Sequence, residues 1–132
     1  MPLLTRIFIK TAMVCLALAL VFGILLALGL TNSLFPVYIH LLVFGWLTQL
    51  IFGVVFWMFP KFSVEKPRGS VTLGWWTYAF LNIGLLLRAI AEPMQSTQPT
   101  FIDGWLLVLS AILQFLSGLL FVINSWGRVK EK

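Results

Sequence analysis

Two of the ionisable side chains in the apolar stretches of this chain are candidates for chemistry, and the first of them is a histidine. His40 is the single histidine among 132 residues, near the start of an apolar stretch from Tyr38 to Phe62. An ionisable residue inside a membrane segment costs free energy, so it marks a candidate functional site. Neutral imidazole is also the commonest metal ligand. Any chemistry that the chain performs is therefore expected to involve His40.

The second such side chain is Arg88, which precedes Glu92 by one helical turn in a later apolar stretch. At this spacing the two residues can form an ion pair on one helix face, and the arginine can also extend to the membrane interface. A guanidinium binds carboxylates through two parallel hydrogen bonds. Arg88 is therefore equally suited to hold an anion, such as a haem propionate.

The number of candidate ligands restricts the kind of metal site. Zinc sites usually need three or four protein ligands, whereas haem iron needs only one or two axial ligands. A lone imidazole therefore fits haem iron better than a bare metal ion. The alternative stays open that His40 only hydrogen-bonds a neighbouring helix or reaches the lipid headgroups.

The composition is typical of a membrane protein. Hydrophobic residues make up 61% of the chain and charged residues 10%, and the mean hydropathy is +1.03; soluble domains carry about 25% charged residues. Four stretches, approximately 6–29, 34–59, 71–91 and 101–126, reach the roughly 20 residues that a membrane-spanning helix needs. Short connections make sequential helices antiparallel neighbours. The sequence predicts an all-α polytopic membrane protein, a single domain (1–132) folded as an antiparallel bundle of four transmembrane helices.

The positions of the basic residues predict the orientation. Eight of the nine Lys and Arg lie at the N-terminus, between the second and third spans, or at the C-terminus, and the other two connections have none. The positive-inside rule then places both termini in the cytoplasm, with a bacterial or archaeal cytoplasmic membrane as the expected location. The basic residues flank spans and form no patch for nucleic acid. His40 and Arg88 are expected at the outer leaflet.

Other residues indicate packing rather than chemistry. Gly45, Gln49 and Gly53 share one helix face, where small residues allow close helix approach and an amide can hydrogen-bond across helices. The chain has no paired intramembrane carboxylates, no Cys/His cluster and no phosphate-binding loop. Its single cysteine, Cys15, excludes an internal disulfide.

The second span also carries a family resemblance. His40, Gly45-Trp46, Ile51-Phe52-Gly53 and Pro60 resemble the haem-ligand helix of subunit I of the haem–copper oxidases and their nitric-oxide reductase relatives. In that family a histidine near the outer end of the helix ligates a low-spin haem. The resemblance implies that His40 is an axial ligand of a haem, b-type by expectation, and that Arg88 is its propionate partner.

The departures from that family limit what the chain can do alone. Subunit I has many more spans and several further histidine ligands, whereas this chain has four predicted spans and no second histidine. It is therefore not a complete oxidase by itself, and whether it is an enzyme stays open. We expect a membrane haem-binding electron-transfer protein, acting as a homo-oligomer or as a subunit of a larger complex. The alternatives are a non-catalytic structural or assembly subunit of a respiratory or photosynthetic complex and, more weakly, a small transporter or channel.

Overall fold

Four helices make up most of residues 1–129, which are the residues that the computed structural model of the chain describes. They are α1 (Leu3–Ala27), α2 (Phe35–Met58), α3 (Val71–Thr97) and α4 (Phe101–Trp126), each long and apolar enough to cross a membrane. Within these residues no strand is present. The predicted all-α class and the four apolar helices are confirmed, whereas the orientation in a membrane stays a prediction.

The helix boundaries follow from local chemistry. Pro36 lies in the first turn of α2, where its missing N–H would have no partner in any case. Ser70 caps α3, with its hydroxyl accepting a hydrogen bond from the Leu73 N–H. Thr100 and Asp103 form a reciprocal capping box at the start of α4. Each cap satisfies backbone N–H groups that have no partner within their own helix.

Sequential helices are antiparallel, as predicted. Along the α1–α2 interface Gly53 lies against Phe8, Gly45 against Cys15 and Gly23 against Tyr38. The most extensive contacts are between α1 and α2 and between α3 and α4, with smaller contacts between α2 and α3. Within residues 1–129, no Cα atom of α1 lies within 8 Å of a Cα atom of α4. The four helices therefore form an open arrangement rather than a bundle closed between its first and last helices.

The open arrangement has two ends, which we name after the predicted orientation. The inner end holds the N-terminus, residues 59–70 and residues 127–129, and the outer end holds the α1–α2 and α3–α4 connections. One buried apolar cluster lies towards each end. The inner cluster comprises Leu4, Phe8, Phe52, Phe56 and Leu81, and the outer cluster comprises Cys15, Ala19, Val37, Leu41 and Leu85.

Two glycines of α2 allow its close contact with α1. A Cβ added at Gly45 would lie 2.9 Å from the Cβ of Cys15, and one added at Gly53 would lie 2.7 Å from the Cβ of Phe8. Real Cβ atoms do not approach so closely, so a larger residue would force these helices apart. The predicted packing role of both glycines is confirmed.

A π-helical segment, Leu41–Thr48, interrupts α2 directly after His40. Its hydrogen bonds join each N–H to the carbonyl five residues earlier, which widens the helix locally. Such segments are rare in proteins, and many of those that occur lie at functional sites. Nothing in the residue pattern predicted this segment, because the same residues would also fit an ordinary α-helix.

The end of α3 differs from the prediction. The span was expected to end at Ala91, before Pro93, yet the helix continues through Pro93 to Thr97. Proline lacks an N–H and so removes one hydrogen bond, to the carbonyl four residues earlier. The hydroxyls of Ser96 and Thr97 donate to the Pro93 carbonyl, which helps to hold the last turn in place.

Candidate functional site

Three helices bring a group of ionisable and polar side chains together at the outer end. His40 lies on α2, Arg88 and Glu92 on α3, and Ser110 on α4. The Glu92 Oε1 atom lies 3.0 Å from Arg88 Nη1 and 3.5 Å from His40 Nδ1. We call these four residues the outer polar cluster. The imidazole and the guanidinium thus both lie close to the same carboxylate oxygen.

The His40 ring is oriented by its own helix. Nδ1 lies 2.8 Å from the Pro36 carbonyl oxygen, and because a carbonyl can only accept, Nδ1 is the nitrogen that carries the hydrogen. In a neutral ring the other nitrogen, Nε2, then holds the lone pair. The side chain is 24% exposed, and the ring stacks parallel to Phe44 at 5.8 Å. Metal-ligating histidines usually donate their second N–H to a carbonyl or carboxylate in this way.

Arg88 bridges α3 and α4. Its Nη1 donates to Glu92 Oε1 at 3.0 Å and its Nε donates to Ser110 Oγ at 3.3 Å. The Ser110 hydroxyl donates in turn to the Gly84 carbonyl at 2.6 Å. The predicted ion pair with Glu92 is confirmed. Over the described part of the chain, Nη2 is the guanidinium nitrogen with no hydrogen bond, so Arg88 keeps this nitrogen for a further anion.

Glu92 is the most buried ionisable member of the cluster, with 8% of its side chain exposed. Its second oxygen, Oε2, is buried and has no hydrogen-bond partner among residues 1–129, and the same is true of Gln95 Oε1 one turn further along. Leaving a buried polar atom without a partner costs about 1–3 kcal/mol. Sequence reasoning treated Glu92 as a partner of Arg88 or, with Arg88, as part of the outer vestibule of a transporter or channel. It missed the contact of Glu92 with His40, which depends on how α2 packs on α3.

The donor set restricts what the outer polar cluster can bind. Residues 1–129 contain no group of three or more His, Cys, Asp or Glu side chains arranged to hold a metal ion. The imidazole of His40 offers one basic nitrogen, and the Glu92 carboxylate is already shared with Arg88 and His40. These side chains suit a ligand that accepts one coordination bond, from the His40 imidazole, and that carries carboxylate groups of its own for the Arg88 guanidinium.

A second buried guanidinium, which sequence reasoning missed, lies at the inner end. Arg128 is 1% exposed, and it donates to the carbonyls of Phe56, Phe59 and Pro60 at 3.0, 2.8 and 3.1 Å. These carbonyls belong to the last turn of α2 and the residues after it, where a cation is stabilised by the helix dipole. Burial, and the nearby Arg68 guanidinium, lower the pKa of Arg128 from its ordinary value. The residue was expected only as part of the cytoplasmic charge cluster.

Gln49, for which packing was the expected role, is buried as that role requires, but it makes no hydrogen bond across helices within the described residues. It is fully buried between Gly45 and Gly53, yet neither its amide nitrogen nor its amide oxygen has a hydrogen-bond partner in the described residues.

Comparison with known proteins adds no relative to this description. No protein-family model matches the chain, and no curated protein and no solved structure shows significant similarity to it.

Proposed function

We propose that the chain is an integral membrane protein that binds haem through His40 and takes part in electron transfer. The observation that supports this proposal most strongly is the hydrogen bond from His40 Nδ1 to the Pro36 carbonyl. It leaves Nε2 as the basic nitrogen of a partly exposed ring. A single basic imidazole nitrogen is what an axial position on haem iron requires.

The remaining residues of the outer polar cluster have supporting roles under this proposal. The Pro36 carbonyl accepts the Nδ1 hydrogen and so holds the imidazole in one orientation, which makes the opposite nitrogen a better ligand. Arg88 Nη2 offers a donor to a propionate. Haem, when bound, supplies one-electron redox chemistry. The chain has one cysteine, Cys15 within α1, so it lacks the paired cysteines of c-type attachment, and we propose a non-covalent b-type haem.

A second axial ligand would have to come from outside the chain or from a group other than imidazole, because the sequence has one histidine. We propose that His40 of a second copy, or a residue of a partner subunit, provides it. The protein would then act as a homo-oligomer or as part of a larger membrane complex.

The test is the absorption spectrum of detergent-purified full-length protein from haem-replete cells, compared with His40→Ala and with Arg88→Gln. We expect a b-type Soret band in the wild type, no band in His40→Ala, and a band with weaker haem retention in Arg88→Gln. Asn82→Ala is a suitable control, because within residues 1–129 the Asn82 amide bonds only to its own helix, at the Tyr78 carbonyl. A colourless wild type, or an unchanged spectrum in His40→Ala, would contradict the proposal.

A second candidate is a non-catalytic structural or assembly subunit. The observation that favours it is the mutual pairing of His40, Glu92, Arg88 and Ser110, which links α2, α3 and α4 without any ligand. On this account purified protein carries no haem, and His40→Ala leaves the mass of the solubilised particle unchanged. Arg88→Gln would then reduce stability without altering any spectrum, which distinguishes the two candidates.

A further inference from the structure

A groove at the inner end, away from the outer polar cluster, combines apolar and polar lining. It has a volume of about 230 Å³ and lies where the α2–α3 connection meets the first turn of α3 and the last turns of α4. Its lining residues are Phe62, Lys66, Gly69, Ser70, Leu73, Ile123 and Asn124. One part of the lining is therefore apolar, and another part carries a cation and neutral polar groups.

The polar rim of the groove is fixed by hydrogen bonds of its own. The Ser70 N–H donates to Asn124 Oδ1 at 2.8 Å, and the Asn124 amide donates back to the Ser70 carbonyl at 3.1 Å. Gly69 has a φ of 72°, and a Cβ there would lie 2.6 Å from Asn124 Oδ1. Because these groups satisfy one another, they hold the shape of the groove and leave the binding of an ion to Lys66.

The charge around the groove is positive. Within the described residues the Lys66 ammonium has no carboxylate or other hydrogen-bond partner; the hydrogen bonds of this residue are made by its backbone, whose N–H donates to Ser63 Oγ and whose carbonyl accepts from the Gly69 N–H. Lys61 and Arg68 lie in the same connection, where Glu65 is the one acidic residue. The positive end of the α3 helix dipole is also here, and it favours an anion. An anionic group would therefore complement the positive charge of this rim.

The apolar part of the groove lies within the ends of two apolar helices. Leu73 belongs to the first turn of α3, and Ile123 lies one turn before the end of α4. Trp126 and Trp76 are exposed close by, with 77% and 53% of their surface accessible, and tryptophan concentrates at the level of lipid headgroups. The groove therefore extends from the depth of the lipid headgroups to the depth of the acyl chains.

We propose that this groove binds one anionic phospholipid, with its phosphate on Lys66 and the upper part of an acyl chain against Leu73 and Ile123. A soluble anion would use only the rim, and a zwitterionic lipid would add a second positive group next to Lys66. The proposal does not depend on haem binding at His40.

The test is native mass spectrometry of the detergent-solubilised full chain, offered equal amounts of dioleoylphosphatidylglycerol and dioleoylphosphatidylcholine. A lysine near a membrane surface changes the affinity for anionic lipid by about fivefold, so we expect the wild type to retain the anionic lipid about fivefold in excess. Lys66→Gln should bring that ratio close to one. Lys61→Gln is the matched control, because Lys61 is an exposed lysine of the same connection that does not line the groove.

Two further experiments test the two parts of the site separately. The Ile123→Trp variant fills the apolar part and should reduce retention of both lipids. Excess sn-glycerol 3-phosphate, added to the wild type, should not displace the anionic lipid. Equal losses in Lys66→Gln and Lys61→Gln would show that diffuse surface charge is responsible and would overturn the proposal. Displacement by sn-glycerol 3-phosphate would also overturn it, because the site would then recognise a free phosphate ester.

Discussion

Arg88 and Arg128 are two largely buried guanidiniums at opposite ends of the same fold, and their partners differ in kind. Arg128 donates all three of its hydrogen bonds to backbone carbonyls at the end of α2. Arg88 pairs with Glu92, whose other oxygen has no partner in residues 1–129 and whose first oxygen also faces His40. The inner arginine therefore completes a helix end, whereas the outer one belongs to a group that still offers unpaired atoms.

This difference distinguishes a buried arginine that bonds only helix-end carbonyls from one whose neighbours keep unpaired atoms in the described residues. Arg128 engages all three of its guanidinium nitrogens with helix-end carbonyls, which would otherwise have no partner within their own helix. A carboxylate, an imidazole and a guanidinium that share one oxygen retain Glu92 Oε2, Arg88 Nη2 and His40 Nε2 as atoms without a hydrogen bond in the described residues. Ionisable groups inside a membrane segment are functional candidates for that reason.

The largest expected effect on stability is at the inner end. Arg128→Ala removes three hydrogen bonds to carbonyls that would then be poorly solvated, and we expect a loss of about 3 kcal/mol of unfolding free energy. Arg128→Lys should recover only part of it, because an ammonium lacks the planar fork of a guanidinium. Reversible unfolding in detergent micelles measures this. A loss smaller than that of Arg88→Gln would remove the contrast between the two arginines.

The next effect concerns the α1–α2 contact, on which the position of His40 depends. Gly53→Val places its side chain against Phe8, where a Cβ alone would lie 2.7 Å away, and should lower the unfolding free energy by about 2 kcal/mol. Gly104→Val is the matched control, since nothing lies within 4 Å of a Cβ at that position. Equal effects of the two variants would mean that helix propensity, and not close packing, sets the stability.

Variants of the ion pair in the outer polar cluster should be unequal. Arg88→Gln leaves the 8% exposed Glu92 without its cation, and should cost about 2 kcal/mol because a buried unpaired charge is unfavourable. Glu92→Gln should cost about 1 kcal/mol, because the long Arg88 side chain can turn towards the interface. The double variant should be less destabilised than the sum of the two. Additive losses in unfolding experiments would show that the pair is not coupled.

The smallest expected effect on stability is that of His40→Ala. The imidazole is partly exposed and bonds mainly to its own helix, so we expect a change within about 0.5 kcal/mol. The His40→Ala variant should, by contrast, lose its bound haem completely. Thermal denaturation of the haem-free wild type and the haem-free variant checks the stability, because bound haem would itself stabilise the fold. A loss of several kcal/mol between these haem-free samples would indicate that His40 is a structural residue.

Hydropathy and charge were sufficient to predict the four helices and their antiparallel order, because length and apolarity alone determine which segments can cross a bilayer. The i,i+4 spacing of Arg88 and Glu92 was likewise readable, since both residues lie on one helix. The same reasoning predicted close packing at Gly45 and Gly53. These features depend on neighbours in the sequence or on small residues, which the sequence displays directly.

The features that were missed are of two kinds: local changes of the helix backbone that no residue pattern marks, and contacts between distant segments. No residue type in Leu41–Thr48 distinguishes the π-helical segment from an ordinary α-helix. The helix α3 continues through Pro93 with help from the Ser96 and Thr97 hydroxyls, which could equally have faced solvent. Arg128 looked like one more flanking cation, because nothing in its neighbourhood shows that the end of α2 lies beside it. The contact of Glu92 with His40 was missed for the same reason.

The central claim, that His40 Nε2 ligates haem iron, is tested most directly by replacing the imidazole and then returning it as a small molecule. His40→Gly removes the ligand but leaves space for free imidazole. We predict that the purified variant loses the Soret band of the wild type and regains it when haem and millimolar imidazole are added together. A His40→Gly variant that keeps the wild-type band without imidazole, or a wild type that never takes up haem, would contradict the account.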